Sequence, residues 1–199
     1  MAEPTSLDAI ADSLGAAEVP VGMMSSPDGA MTLLLTAVED CPAIVERLGE
    51  EAGAELLRDH HVIVRGVVEA RDGQVVKVER DAVMASFASA HAALRSAIDL
   101  QRTFADLEVE PVGRLRLRAG LHSGFVISSG QDVFGRNVVI AARIADQAAG
   151  GEILVSAAVR EYTQTDPTYR FAARGAAHFR GVHGEHEMYA VDWADPPAG

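Results

Sequence analysis

Two short strand patterns joined by a very tight turn constrain the fold of this chain more than any other feature. Gln74–Glu79 and Ala82–Phe87 are rich in valine and alternate in polarity, and only Arg80 and Asp81 separate them. Two-residue connections join neighbouring antiparallel strands, so the sequence predicts a β-hairpin. Asp81 lies at the turn, where a carboxylate can hold a divalent cation.

Helix and strand patterns alternate on both sides of the hairpin. A strand is predicted at 31–38, followed by helices from 42 to 70 with a break at 48–49, with Asp40 as N-cap. Beyond the hairpin we predict a helix at 89–107, strands at 114–118 and 120–127, a helix at 134–148, a strand at 152–155, a short helix at 157–162 and strands at 169–179 and 187–193. The order strand, helix, hairpin, helix, strand is typical of a ferredoxin-like α+β sandwich, βαββαβ, with one open sheet face.

Composition limits the function classes. The chain has 199 residues, 48% of them hydrophobic, and a formal net charge of -12, which disfavours nucleic acid and anionic membrane surfaces as partners. No apolar run approaches the ~20 residues needed to span a bilayer, and the single cysteine, Cys41, excludes an internal disulfide. We therefore expect a cytoplasmic protein whose partners are proteins or small molecules.

Three regions are predicted along the chain. Residues 1–29 form an N-terminal extension, with a short amphipathic helix over 6–15 and a linker rich in proline, glycine and serine. Residues 30–195 form the globular domain, and 196–199 are a tail. None of the histidines has a metal-site spacing, so His60, His61, His183 and His186 are expected to be surface or capping residues and His122 structural.

Basic residues are unevenly divided, with sixteen arginines and one lysine, Lys77. A bias of the genome toward arginine codons explains the sixteen. A lysine retained against that bias indicates either a site that needs an ammonium group or chance retention on an exposed strand. The residues alone leave both interpretations open.

Four segments, taken in order, resemble the catalytic domain of the class III adenylate/guanylate cyclases. They are 36–38 with 46–49, the hairpin at 75–87, Arg118-Ala119-Gly120-Leu121-His122-Ser123-Gly124, and 132–135 with 141–144. The resemblance covers about residues 31 to 193. It implies the family's α+β fold, a nucleoside triphosphate substrate, Mg or Mn as cofactor and a head-to-tail dimer whose pockets are shared between two chains.

The resemblance also implies roles for individual residues. Lys77 and Asp132 match the pair that recognises adenine, and Arg143 matches the catalytic arginine that steadies the transition-state phosphate. Arg180 corresponds to the basic residue that binds the triphosphate. Asp81 matches one of the two aspartates that hold the metal ions.

Several family positions are altered here. The first metal aspartate is replaced by Ala37, and the transition-state asparagine by Val139, which Asn137 cannot replace because two residues rotate a helix by about 200°. Arg80 and Ala82 stand where the family usually has glycine. Glu39 is a candidate substitute metal ligand if the strand continues past Ala37.

Three hypotheses follow from these departures. The leading one is a catalytically impaired domain, a weak nucleotide binder or a regulatory partner in a homodimer or a heterodimer with another cyclase-like chain. Metal binding by Mg or Mn is then doubtful. The second is a slow adenylyl cyclase that converts ATP to cyclic AMP and pyrophosphate, and the third is a protein-interaction module with an empty pocket.

Overall fold

The computed structural model describes residues 5–14, 29–125 and 131–194, with residues 131–134 described as backbone alone. Its elements are α1 (Ser6–Leu14), β1 (Ala30–Val38), α2 (Cys41–Leu48), α3 (Glu50–Glu69), β2 (Gln74–Glu79), β3 (Ala82–Phe87), α4 (Ala90–Ala105), β4 (Glu108–Val109), β5 (Gly113–Arg114), β6 (Leu117–Phe125), α5 (Gln131–Gln147), β7 (Ile153–Ser156), α6 (Ala157–Thr163), β8 (Arg170–His178) and β9 (Glu185–Asp192). The predicted α+β class is confirmed, and the hairpin has the predicted bounds.

Seven strands form one mixed sheet in the order β2-β3-β1-β6-β7-β9-β8, and β4 and β5 pair separately. All neighbours in the large sheet are antiparallel except β6 and β7, which are parallel. On one side of β1, Thr36 is opposite Val83, and on the other side Ala37 is opposite Arg118. The end of β1 therefore lies between the hairpin and β6.

Apolar side chains pack on both faces of the sheet. On one face Leu34 and Val38 pack in a cluster with residues of α3 and α4, such as Val64 and Leu100. On the other face, Leu33 and Leu35 pack with residues of α1 and α5; this second cluster is called the α1/α5 cluster below. The expectation of an open sheet face is therefore wrong over β1 and β3, because α1 and α5 cover it.

Helix α1 is held by tertiary packing. Leu7, Ile10, Ala11 and Leu14 recur at helical spacing and are all buried in the α1/α5 cluster. A nine-residue helix is not stable alone in water, and complete burial of Leu7 and Ile10 stabilises the docked helix by about 1.5–3 kcal/mol for each side chain. The helix lies where the sequence predicts one, but the sequence did not indicate where it docks.

Two local features need comment. Asp40 is the N-cap residue of α2, as predicted, but it has a left-handed φ of 53° and its side chain makes no capping hydrogen bond. Its backbone carbonyl instead accepts the hydrogen bond of Ile44 N–H at 3.0 Å. The strand predicted at 114–118 is divided, because Gly113–Arg114 pairs with Glu108–Val109 while β6 starts only at Leu117.

Candidate functional site

The hairpin turn holds Asp81 in a buried position. One carboxylate oxygen accepts the backbone N–H of Val38 at 3.1 Å, and the other accepts a hydrogen bond from the Ser6 hydroxyl of α1. Arg80 adopts a left-handed conformation with φ 54°, and its carbonyl is 2.7 Å from Nε2 of His61. Both carboxylate oxygens of Asp81 therefore already have protein partners.

Ala37 and Val139, the two positions that the resemblance implies are altered, lie in the same apolar environment. Ala37 is buried at the end of β1, and Val139 is a half-buried residue of α5 packed against the α1/α5 cluster. An alanine methyl and a valine side chain have no lone pair for a cation or a ribose hydroxyl. The polar groups that the resemblance implies are thus replaced by side chains that suit this cluster.

Lys77 lies on the edge strand β2, at a shift in the pairing register with β3 between Val75 and Lys77. Its ammonium group donates a hydrogen bond to the hydroxyl of Ser13 at 2.6 Å. Ser13 belongs to the last turn of α1. The predicted base-reading residue therefore contacts α1, like Asp81.

Arg143 lies on α5 between two carboxylates. Its Nη1 donates to Asp8 of α1 and to Asp146 at 3.2 Å, while its buried Nε has no hydrogen-bond partner among the described residues. Burial alone would lower the pKa of Arg143, but the hydrogen bond to Asp8 and the charges of Asp8 and Asp146 raise it overall. Burial raises the pKa of Asp8, and hydrogen bonds from Arg143 and Thr5 outweigh it and lower that pKa overall. The guanidinium is thus firmly charged and already paired.

The other two predicted site residues are Asp132 and Arg180. Asp132 lies in the backbone of α5, and its side chain is outside the described residues. Arg180 is exposed in the turn after β8, the strand at the sheet edge opposite β2. The structure thus joins Lys77, Asp81 and Arg143 through α1, and Arg180 is not among the described contacts of that helix.

Glu39 is engaged by two groups of the protein. Its carboxylate forms an ion pair with Arg116 and accepts the N–H of Gly150 at 2.7 Å. It also lines a cavity of about 420 Å³ together with Asp81 and Arg118. Glu39 is therefore near the candidate metal position, but as a substitute ligand it would have to give up at least part of this pairing.

The described residues do not fit a pair of metal ions. Within them, no group of three or more histidine, cysteine, aspartate or glutamate residues is close enough to hold a cation. Two hard cations over a triphosphate need several oxygen ligands, and only Asp81 has a carboxylate among the two metal positions that the resemblance implies. Nearby Cys41 is no nucleophile, because burial and the charge of Asp81 raise its thiol pKa to about 11.

Sequence reasoning missed three residues of this site, namely Ser6, Asp8 and Ser13 of α1. The amphipathic pattern at 6–15 predicts the helix, but its apolar residues do not reveal which face of the domain they cover. In the sequence, these polar residues could have been identified only by their position beside the buried apolar stripe of α1.

Among the histidines, the surface interpretation of His60 is wrong. His60 is buried against the ring of Phe104, and both its ring nitrogens lack partners among the described residues. Burial, and secondarily the neighbouring His61, lowers its pKa to about 3. His122 Nδ1 lies 3.0 Å from the Ser156 hydroxyl, and burial lowers its pKa to about 4, consistent with a structural residue.

Comparison with known proteins identifies the family. Residues 23–192 match the adenylate and guanylate cyclase catalytic domain. The chain belongs to this family. Enzymes of the family generally use Mg or Mn. Among the described residues of this cyclase-family chain, no helix meets the length and hydropathy needed to cross a membrane.

Related sequences are similar over part of their length. An uncharacterized protein of Mycobacterium tuberculosis is 33% identical over 139 residues, which are 70% of this chain and 35% of that protein. A receptor-type adenylate cyclase of Trypanosoma congolense is 28% identical over 207 aligned positions, covering 81% of this chain and 28% of the relative. The chain thus spans less than half the length of these curated relatives.

Solved structures show the same fold. An adenylate cyclase from Trypanosoma brucei, in its monomeric state, superposes with a TM-score of 0.73 at 23% identity and covers 84% of this chain and 91% of its own. An adenylyl cyclase from P. aeruginosa gives a TM-score of 0.72 at 21% identity, covering 85% and 97%. The ferredoxin-like architecture of the cyclase catalytic domain is therefore confirmed for this chain.

Proposed function

We propose that this chain is a catalytically impaired cyclase-family domain that binds an adenine nucleotide weakly and acts as a regulatory partner of a second cyclase-like chain. The observation that carries the proposal is the asymmetry at the metal position. Asp81 is retained, whereas the buried methyl of Ala37 stands where the resemblance implies the other aspartate.

The size of the expected defect favours impairment. A catalytic metal supplies several kcal/mol of transition-state stabilisation, so loss of one of its carboxylates lowers turnover by roughly a thousandfold or more. Loss of a single transition-state donor, here at Val139, removes a further ~100-fold. Efficient cyclisation is not expected from a pocket with both losses.

Nucleotide binding depends on other groups, which are retained. The Lys77 ammonium is on an edge strand and has only a neutral hydroxyl as its described partner. Its hydrogen bond to this hydroxyl can therefore be exchanged for one to an acceptor atom on a nucleotide base. Arg143 keeps a full positive charge, and Arg180 is exposed. The similarity to a receptor-type adenylate cyclase supports ATP, with Asp132 as the second base-reading group.

The test is thermal unfolding with ATP and Mn²⁺. At about ten times the dissociation constant, ATP adds about 1.4 kcal/mol to the free energy of unfolding, which is a rise in Tm of about 3–5 °C for a chain of this size. Lys77→Ala should abolish the rise, and Arg114→Ala, an exposed change in β5, should retain it. An equal rise in both variants would contradict the assignment of Lys77, and absence of any rise would favour an interaction module with an empty pocket.

A slow adenylyl cyclase is the second candidate, favoured by one observation. Glu39 and Asp81 line the same cavity, so a cation there could reach two carboxylates if Glu39 released Arg116. Cyclic AMP formation with Mn²⁺ and ATP should then be higher in the unaltered protein than in Asp81→Ala. Equal formation by both would exclude catalysis through this metal position.

A further inference from the structure

Helix α1 contacts the site at three separate points. Its Ser6 donates to Asp81, Asp8 pairs with Arg143, and Ser13 accepts from Lys77. Ser13 is seven positions after Ser6, a rise of about 10.5 Å along a helix. Helix α1 therefore lies lengthwise along the face that carries Lys77, Asp81 and Arg143, and one of its polar side chains contacts each of these residues.

The chemistry of each contact matches what a bound nucleotide would supply. The Asp8 carboxylate gives Arg143 an anionic partner, as a phosphate oxygen would. The Ser6 hydroxyl bonds one of the two Asp81 oxygens, and the Ser13 oxygen accepts the hydrogen bond from Lys77 that a base acceptor would take. Nucleotide and α1 therefore compete for the same donors and acceptors.

The apolar side of α1 favours the docked state. Leu7 and Ile10 are fully buried in the α1/α5 cluster, whose edge includes Val139 and whose interior includes Ala37. The aspartate and asparagine implied by the family would place polar groups in this cluster. Covering these polar groups with the apolar side of α1 would cost free energy, and their replacement by alanine and valine removes this cost.

We propose that α1 is an autoinhibitory plug that covers this chain's share of the nucleotide pockets and must leave before a nucleoside triphosphate with its cation can bind. This inference rests on the proposed function, since it assigns the regulation of that same site. When α1 is docked in 90–99% of molecules, the apparent affinity for nucleotide is reduced about 10- to 100-fold relative to the open domain. Release of α1 is then the step on which a regulatory signal acts.

The first test compares full-length variants by titration with a fluorescent ATP analogue and Mn²⁺. Ile10→Asp puts a carboxylate into the α1/α5 cluster and should tighten binding by at least about tenfold. Asp12→Ala changes an exposed residue of the same helix and should leave the affinity within about twofold of the unaltered protein. The double variant Ile10→Asp/Lys77→Ala should lose the gain.

The outcomes separate the two proposals. Equal affinity of the unaltered protein and Ile10→Asp would overturn the plug and leave nucleotide binding in place. Absence of binding by both would overturn the proposed function and the plug with it.

A second test needs no substitution and so remains decisive if Ile10→Asp fails to fold. Hydrogen exchange of the unaltered protein is measured with and without ATP and Mn²⁺, following the amides of α1 and, as control, of α4. The plug predicts faster exchange in α1 with nucleotide and unchanged exchange in α4. Unchanged or slower exchange in α1 with nucleotide bound would overturn it.

Discussion

The carboxylate of Asp81 can bind a cation, whereas the methyl group of Ala37 cannot. The carboxylate is held by Val38 N–H and by Ser6, so it is positioned even though its expected counterpart is missing. Introducing the groups that the resemblance implies is therefore a direct test of the proposed impairment.

We expect Ala37→Asp to raise cyclic AMP formation with ATP and Mn²⁺ by at least about 100-fold, since it returns a carboxylate to the metal position. Adding Val139→Asn should raise it further. Ala37→Asn is the matched control, because it has nearly the same shape without the charge and should gain little. An aspartate variant no more active than the asparagine variant would show that Ala37 is not the cause of the impairment.

Arg80 is a residue at which the backbone conformation is costly. Its φ of 54° is a left-handed conformation that costs an L-residue about 1–2 kcal/mol. Arg80→Gly should therefore raise the free energy of unfolding, by up to about 1 kcal/mol after the greater freedom of glycine in the unfolded chain is subtracted. Arg80→Ala removes the same charge but keeps the Cβ, and should show no such gain in a urea unfolding experiment.

His60 makes stability depend on pH. Its pKa is about 3 in the folded protein and about 6.5 in the unfolded chain, so the unfolded state binds more protons between these values. The free energy of unfolding should thus be highest above about pH 6.5 and fall below it, by up to about 1.4 kcal/mol per pH unit for this one residue. His122 adds to the same slope down to about pH 4.

Urea unfolding at pH 5 and pH 6 measures this slope. His60→Leu should make it shallower, and the matched change His183→Gln, at an exposed residue, should not. Equal slopes in His60→Leu and the unaltered protein would contradict the buried neutral state of His60.

At the scale of elements, β6 and α5 approach each other through Gly120. A Cβ built there would lie 2.3 Å from the backbone nitrogen of Ala145, too close for any real contact. Gly120→Ala should therefore destabilise the protein by about 1–3 kcal/mol, because β6 and α5 have to separate. Gly66→Ala in α3 is the control, since nothing lies within 4 Å of its added methyl and helix propensity favours alanine by about 1 kcal/mol. We therefore expect Gly120→Ala to lower the Tm and Gly66→Ala to raise it.

The sequence predicted most elements because their signals are local. The hairpin around Arg80 and Asp81 has a turn and two valine-rich strands, and the break at Gly49 separates two helices as expected. Predictions failed where tertiary contacts decide. His60 is buried because α3 packs it against Phe104 of α4, whereas a surface or capping residue was predicted.

At the scale of the whole molecule, the candidate site could be predicted only through the family resemblance. The roles of Lys77, Asp81 and Arg143 come from that resemblance and stay predictions, as do Asp132 and Arg180. The occupation of the first three by α1 could not be predicted, because it joins residues separated by as many as 135 positions in the chain. Periodicity identifies the buried stripe of α1 but carries no information about which surface covers it.

A shared pocket makes a further prediction about two chains. In the head-to-tail dimer that the resemblance implies, Asp81 of one chain would face Lys77 of the other, so a mixed dimer of Lys77→Ala and Asp81→Ala would have one pocket with both defects and one with neither. An equal mixture should recover about a quarter of the Mn²⁺-dependent ATP binding that each variant alone lacks. Recovery is measured by titration after the two proteins are unfolded and refolded together. No recovery would indicate that each pocket is built within one chain.

The far edge of the sheet affects how the protein behaves at high concentration. Strand β8 is the outermost strand on that side, and most of its side chains are exposed. Its pairing with β9 shifts between Ala173 and Gly175, and the Arg174 guanidinium at the shift donates to Glu152 at 2.9 Å. Such a kink together with a charge prevents strands of separate molecules from aligning edge to edge. Deletion of Arg174 would remove both the kink and the charge from this edge strand. The expected consequence is that separate molecules polymerise into fibres while the fold itself is retained.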